Sequence, residues 1–61
     1  MKGKWEVYSN VIGGKTVYMA KRLRDAGGVE HSGNLEGRGD WTEDREAVER
    51  LCETLNQEEA G

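Results

Sequence analysis

Apolar and polar side chains alternate over the first third of the chain. Residues 4–12 carry Trp, Tyr and β-branched aliphatic residues, and residues 15–24 resume that composition after Gly13-Gly14. Aromatic and β-branched residues favour strands, and a Gly-Gly pair accepts the positive φ angles of a tight turn. The pattern therefore predicts a β-hairpin.

The parity of the apolar positions predicts how the two strands pair. Most of the apolar side chains in this region stand at odd-numbered positions: Trp5, Val7, Val11, Val17, Met19 and Leu23. They share one face only if paired residue numbers add to an even value, which a two-residue loop does not allow. Because a one-residue slip moves every side chain to the opposite face, we expect the hydrophobic pattern to prevail. This predicts a loop of three or five residues with a glycine bulge.

A third strand is expected in the glycine-rich segment of residues 25–40. The strongest candidate runs from Leu35 to Trp41, with a turn at Gly33-Asn34, and Val29–Ser32 is a further segment able to pair. Interior glycines weaken strands, so the third strand carries the weakest signal of the three.

Apolar residues at helical spacing follow the third strand. They form one stripe, made of Ala47, Val48, Leu51, Cys52 and Leu55. Thr42 is expected to cap this helix, Asn56 to end it, and residues 57–61 to fray. The sequence therefore predicts an α+β fold. In it, a three-stranded antiparallel sheet, made of the β-hairpin plus a third strand, packs on one C-terminal α-helix. Residues 1–61 form a single small domain with an ordered core at about 4–56.

Length and composition limit the classes of protein to which the chain can belong. Its 61 residues are 34% hydrophobic and 34% charged, and no run is long and apolar enough for a membrane span or a signal peptide. We therefore expect a cytoplasmic protein that binds no membrane. With one cysteine, the chain cannot form an internal disulfide, and Cys52 and His31 cannot supply the four ligands of a structural zinc.

Catalytic chemistry is not apparent in the sequence. The histidine stands in a glycine-rich loop, the cysteine belongs to the apolar stripe, and the glycines match neither a P-loop nor a dinucleotide fingerprint. We expect no enzyme activity, no cofactor, no metal and no small-molecule substrate.

Charge is distributed unevenly along the chain. Residues 1–24 carry six lysines and arginines against one acidic residue, whereas residues 43–61 carry seven acidic residues against two arginines. The asymmetry has two interpretations: the two halves attract each other within the fold, or a basic face meets an anionic partner.

The even-numbered face of the hairpin is the candidate binding surface. If the odd face packs on the helix, the even face exposes Tyr8, Asn10, Thr16 and Tyr18, which could contact a nucleic-acid groove. The cations expected to contact phosphates are Lys4, Lys15, Arg22 and Arg24. The alternative to a binding role is that this face is only solvated, because exposed cross-strand tyrosines also stabilise sheets that have no binding function.

The chain resembles two groups of proteins, and the second resemblance covers most of residues 4–56. The Trp-Glu-Val strand and the His-Ser-Gly-Asn loop at His31–Asn34 resemble short bacterial proteins with a β-β-β-α layout, which implies no particular function. More loosely, the chain resembles the arm-binding domains of tyrosine-recombinase integrases, whose three-stranded sheet enters the DNA major groove. The residues in matching places are Trp5, Gly13-Gly14-Lys15, Tyr18, Trp41-Thr42 and Ala47. Those domains are usually basic, whereas this chain has a net charge of −3.

These observations predict a small non-catalytic binding module. Its specific role and partner are not indicated by the sequence; the first interpretation is a protein-interaction or accessory domain that meets a protein partner through the sheet or the acidic helix. The alternative is a DNA-binding module, similar to the integrase arm-binding domains, that uses the open face of the hairpin. DNA binding is the second choice because phosphate binding usually goes with a basic domain, whereas this chain is net acidic.

Overall fold

The computed structural model describes residues 2–60, with the backbone alone at Ser32 and Ala60. A three-stranded antiparallel sheet of order β1-β2-β3 packs against one C-terminal helix, which confirms the predicted α+β fold. The elements are β1 (Glu6–Ile12), β2 (Lys15–Leu23), a 3₁₀ turn (Ser32–Asn34), β3 (Leu35–Thr42) and α1 (Arg45–Ala60).

The hairpin between β1 and β2 has a two-residue turn. Ile12 pairs with Lys15, and the register continues without interruption to Glu6 opposite Lys21. Gly13 and Gly14 have φ angles of +61° and +78°. Two positive φ angles in succession give a turn whose twist matches that of the flanking strands. The predicted loop of three or five residues is therefore wrong: turn geometry, not apolar parity, sets the register.

This register divides the side chains differently from the prediction. The surface that packs on α1, here called the helix face, carries Trp5 and Val7 from the first strand segment with Tyr18 and Ala20 from β2. The predicted burial of Val17, Met19 and Leu23 against the helix is wrong. These three residues are half-buried on the opposite surface, here called the open face.

The core between sheet and helix is small. Its buried members are Trp5, Ala20, Val48, Cys52 and Leu55, with Val7, Tyr18 and Leu51 packed around them. Trp5, the largest, is 3% exposed. Close packing at Ala20 is possible because a small residue at the centre of β2 lets the helix approach the sheet.

The third strand contains a bulge. Tyr18 pairs with Thr42 and Ala20 with Arg38, so the register shifts between them. Gly39 lies in this irregular stretch with a φ of +80°, a conformation that side chains other than glycine adopt rarely. The glycines that weaken the third-strand signal in the sequence thus permit the bulge.

Both ends of α1 differ from the prediction. The Asp44 side chain accepts a hydrogen bond from the Ala47 amide at 3.0 Å and caps the helix, while Thr42 Oγ1 accepts one from the Asp44 amide at 3.2 Å. Asn56 does not end the helix, which continues through Ala60. Residues 57–60, expected to fray, are helical, and residue 61 lies outside the described residues.

Asn56 instead joins the helix to the sheet. Its Oδ1 accepts a hydrogen bond from the Trp5 amide at 2.8 Å, and its Nδ2 donates one to the Trp5 carbonyl at 3.1 Å. One amide side chain thus satisfies both backbone groups of the residue before β1, as a neighbouring strand would.

The connection from β2 to β3 is held by Asn34. Its side chain accepts from the Asp25 amide at 3.0 Å and donates to the carbonyls of Asp25 and Val29 at 3.0 and 3.1 Å. His31 Nδ1 accepts from the Gly33 amide at 3.1 Å. The segment Val29–Ser32 forms no strand, so its predicted pairing is wrong.

Candidate binding surface

The open face of the sheet is apolar as well as polar. Half-buried side chains cross all three strands: Tyr8 from β1, Val17, Met19, Lys21 and Leu23 from β2, and Leu35 and Trp41 from β3. In the described chain α1 covers the opposite face only, packing on β1 and β2 there. The sheet is therefore apolar on both sides, although only one side has a helix to cover it.

Lys21 lies at the centre of this face, between two aromatic rings. Its Nζ is 4.9 Å from the ring centroid of Trp41 and 5.9 Å from that of Tyr8. Both distances allow a cation–π attraction. Within residues 2–60, no carboxylate lies within ion-pair distance of the Lys21 ammonium.

A hydrogen bond to Glu30, in the loop between β2 and β3, holds the Tyr8 side chain in place. Its hydroxyl donates a hydrogen bond to Glu30 Oε1 at 2.7 Å. This bond, followed by burial and the negative charges of Glu30 and Glu6, raises the pKa of Tyr8 to about 12. The same hydrogen bond holds the Tyr8 ring beside Lys21.

A shallow groove of about 350 Å³ lies beside Lys21. It is lined by Met19, Lys21, Leu35, Glu36, Gly37 and Trp41. Gly37 forms part of its floor: a Cβ at that position would meet Met19 Cε at 2.6 Å. The Met19 side chain thus occupies the space into which the side chain of any other residue at position 37 would extend.

The structure separates the residues predicted to form one binding surface. Tyr8 and Asn10 lie on the open face, whereas Thr16, Tyr18 and Arg22 share the helix-face parity of β2. The predicted pairing of the two tyrosines on one surface is therefore wrong. Their separation follows directly from the odd-sum register that the Gly-Gly turn imposes.

Arg22, predicted to contact phosphate, is buried. It is 5% exposed, its guanidinium lies 4.5 Å from the ring centroid of Trp5, and it is hydrogen-bonded to Glu36 and Glu59. Burial by itself would lower the pKa of Arg22, but the two carboxylates outweigh it and raise the pKa. The same contact lowers the pKa of Glu36, against the effect of desolvation. Arg22 acts here as part of the core.

The other predicted phosphate ligands are exposed. Lys15 Nζ is 3.3 Å from Glu43, and Arg24 Nε is 3.9 Å from Glu36. Lys4 is exposed ahead of β1 and lines a second shallow depression beside Asn56 and Glu59. Three of the four predicted cations, Lys15, Arg22 and Arg24, thus lie within ion-pair distance of a carboxylate.

Sequence reasoning missed the residues that the open face does bring together: Met19, Lys21, Leu35, Gly37 and Trp41. The signal that could have found them is the Gly13-Gly14 pair. Taken as a strict two-residue turn, it places Met19 opposite Tyr8 and moves the odd positions of β2 to the face of Tyr8.

The cysteine and the possible metal ligands of the chain give no sign of a further site in the part of the chain that the structure describes. Cys52 is buried in the core, and burial, followed by the charges of Glu6 and Glu49, raises the pKa of its thiol. Residues 2–60 contain no group of three or more His, Cys, Asp or Glu side chains arranged to hold a metal ion. The one helix described lacks the length and apolar character needed to cross a bilayer.

No family model matches this chain, and no curated protein or solved structure shows significant similarity to it. The resemblance to integrase arm-binding domains therefore stays a hypothesis. The geometry of the open face is the remaining guide to function.

Proposed function

We propose that this protein is a non-catalytic binding module whose open face receives a protein partner. The observation that carries the proposal is Lys21, an ammonium between the rings of Tyr8 and Trp41 with no carboxylate within ion-pair distance among residues 2–60. A half-buried cation of this kind is stabilised further when a partner brings the missing negative charge.

The side chains around Lys21 define the chemistry of the partner. Trp, Tyr and Met are enriched at protein interfaces, where a few residues, often Trp, Tyr or Arg, contribute most of the binding energy. The groove beside Lys21 is lined by Met19, Leu35 and Trp41, which favour an apolar side chain. The expected ligand is a peptide segment with an aspartate or glutamate next to an apolar residue.

The geometry favours a protein over DNA as the partner. Arg22 is buried, and Lys15 and Arg24 lie beside carboxylates, so phosphate contacts would compete with ion pairs already formed. Affinity for duplex DNA depends largely on cations that neutralise phosphates. The nucleic-acid alternative keeps Tyr8 and Asn10 on one face but loses the cluster of cations predicted around them.

The experiment uses a random peptide library displayed on phage and selected against the immobilised protein. We expect the selected peptides to pair an acidic residue with an apolar one. Lys21→Met, which keeps the aliphatic stem but removes the charge, should weaken their binding about tenfold or more. Lys15→Met is the matched control: it also removes a lysine from β2, but at the hairpin turn, and should leave binding unchanged.

The groove is tested in the same binding assay with Gly37→Ala. The added methyl must displace Met19 Cε, which narrows the groove without adding or removing a charge. We expect weaker binding and an unchanged preference for acidic peptides. Selected peptides that bind Lys21→Met as tightly as wild type would contradict the proposal, as would a library from which nothing is enriched.

Fluorescence anisotropy with a labelled random duplex at about 50 mM salt decides the alternative. We expect no binding at micromolar protein. Saturable binding whose affinity falls steeply with salt and is weakened by Tyr8→Ala would support the DNA-binding alternative instead.

A further inference from the structure

β1 is an edge strand with a regular outer side. It pairs with β2 over Glu6–Ile12 without a bulge, it contains no proline, and its one charged residue, Glu6, is its first. The other edge, β3, is interrupted by the bulge near Gly39. Proteins usually protect an edge with bulges, prolines or charges along it, because an open edge pairs with other strands. The body of β1 carries none of these.

The outward backbone groups of β1 can be identified from Trp5. In an antiparallel strand, alternate residues direct their N–H and C=O groups to the same side. Trp5 directs both groups away from β2, to the side chain of Asn56 on α1. The residues that continue this alternation along the outer edge are Val7, Ser9 and Val11.

Asparagine side chains occupy the two ends of this outer edge. Asn56 binds Trp5 at one end, and at the other Asn10 Oδ1 accepts a hydrogen bond from the Val11 amide at 2.8 Å. Between them, the outward amides and carbonyls of Val7 and Ser9 have no hydrogen-bond partner among residues 2–60. These two residues form a short open window in the middle of the strand.

The side chains next to the window are unusually apolar for an exposed edge. Val11 is 66% exposed and Ile12 51% exposed. A second copy of the same strand, antiparallel and related by a two-fold axis at Ser9, would place Val7 opposite Val11. Glu6 would then lie opposite Ile12, so no like charges would face each other.

From this window we propose that β1 pairs with β1 of a second copy of this chain, which joins the two sheets into one of six strands. The pairing satisfies the outward groups of Val7 and Ser9 and covers the exposed Val11. A closed two-fold contact of this kind uses the same surface in both copies. The pairing lies at the outer edge of β1, whereas the groove beside Lys21 is lined by residues of β2 and β3, so the dimer is compatible with the function proposed above.

Asn10 limits this association. The Val11 amide can bond across the two-fold axis only after the Asn10 side chain releases it. The Asn10 side chain therefore competes with the second copy for the Val11 amide, and replacing Asn10 by alanine should strengthen the pairing.

Sedimentation equilibrium over micromolar to millimolar concentrations measures the association. We expect a reversible monomer–dimer equilibrium for the wild-type chain. Val11→Lys should weaken it about tenfold or more, since two-fold symmetry places the altered residue in two cross-strand pairs. Val29→Lys is the matched control: Val29 is 77% exposed but lies in the loop, so its change should have no effect.

Ser9→Pro and Asn10→Ala test the backbone pairing itself. Proline at residue 9 removes an outward amide and is compatible with an edge strand, so the variant should fold but stay monomeric. Circular dichroism checks its fold, and Val11→Lys decides the question if it does not fold. Asn10→Ala should shift the equilibrium toward the dimer.

Hydrogen exchange locates the contact. Exchange of the Ser9 amide should slow as the protein concentration rises, because only the dimer protects it. A wild-type chain and an Asn10→Ala variant that both remain monomeric at millimolar concentration would overturn the proposal. So would a dimer that Val11→Lys leaves intact, or one in which Ser9 exchange does not depend on concentration.

Discussion

On the helix face of the sheet, the Arg22 guanidinium lies 4.5 Å from the ring of Trp5, and on the open face the Lys21 ammonium lies 4.9 Å from the ring of Trp41. Neighbours in sequence, the two cations point to opposite sides of β2. Arg22 is bonded to Glu36 and buried, whereas Lys21 is half-buried without a carboxylate partner in the described chain.

The same pairing of a cation with an aromatic ring thus occurs in two different environments. Arg22 has lost its water and depends on carboxylates for compensation, so removing any member of that cluster should affect folding. Lys21 is half-buried and retains access to solvent, so its removal should leave folding nearly unchanged and, under the proposed function, should weaken binding. The two faces therefore predict opposite sensitivities to mutation.

The largest difference is expected between the two tryptophans. Trp5→Ala empties the centre of the core and should cost about 3–5 kcal/mol of the free energy of unfolding. In a domain of this size that is close to the whole stability. Trp41→Ala, on the half-buried open face, should cost much less. Urea unfolding followed by circular dichroism compares the two. A Trp41→Ala variant as unstable as Trp5→Ala would make the open face part of the folding core.

Much of the fold could be predicted from the sequence, because its strongest signals are local. The Gly-Gly turn, the Leu35 strand and the helical stripe from Ala47 each depend on nearby residues, and each element is present. The register could not be predicted from apolar parity, because that argument assumes that only one face of the sheet is apolar. Here Met19 and Leu35 make the second face apolar as well.

The predicted placement of the site residues on one face is wrong for the same reason. Tyr8 and Tyr18 have the same parity, but the odd-sum register sends them to opposite faces. Arg22 looked like a solvated cation because its partner carboxylates, Glu36 and Glu59, are distant in sequence and meet it only in the folded chain. Long-range ion pairs of this kind leave no local pattern.

Unfolding measured at two acidic pH values tests the ion pairs that Arg22 forms with Glu36 and Glu59. Because Arg22 lowers the pKa of Glu36 below its ordinary value of 4.5, the carboxylate stabilises the fold above that pH. This contribution is lost as the pH falls through the lowered pKa of the folded state. Glu36→Gln should therefore be less stable than wild type at about pH 6, and the gap should narrow toward about pH 3.

The matched control for this titration is Glu46→Gln. Glu46 forms an exposed pair with Arg50 at 3.8 Å, so its change should make little difference at either pH. Urea midpoints measured at both pH values give the comparison. A gap between wild type and Glu36→Gln that stays constant with pH would show that the Glu36 charge does not support Arg22.

The smallest effect is expected at Tyr8, where the open face is tied to its loop. Tyr8→Phe removes the hydrogen bond to Glu30 and should change the free energy of unfolding by no more than about 1 kcal/mol. Since the pKa of Tyr8 is raised to about 12, this bond stabilises the fold below the ordinary value of 10. The contribution is lost as the pH rises from 10 through about 12.

In a Tyr18→Phe background, phenolate absorbance reports Tyr8 alone, and the midpoint of its titration should fall toward 10 when Glu30→Gln is added. Circular dichroism over the same pH range checks that the chain is still folded. A midpoint near 10 in the folded Tyr18→Phe chain would mean that Glu30 does not hold Tyr8 beside Lys21.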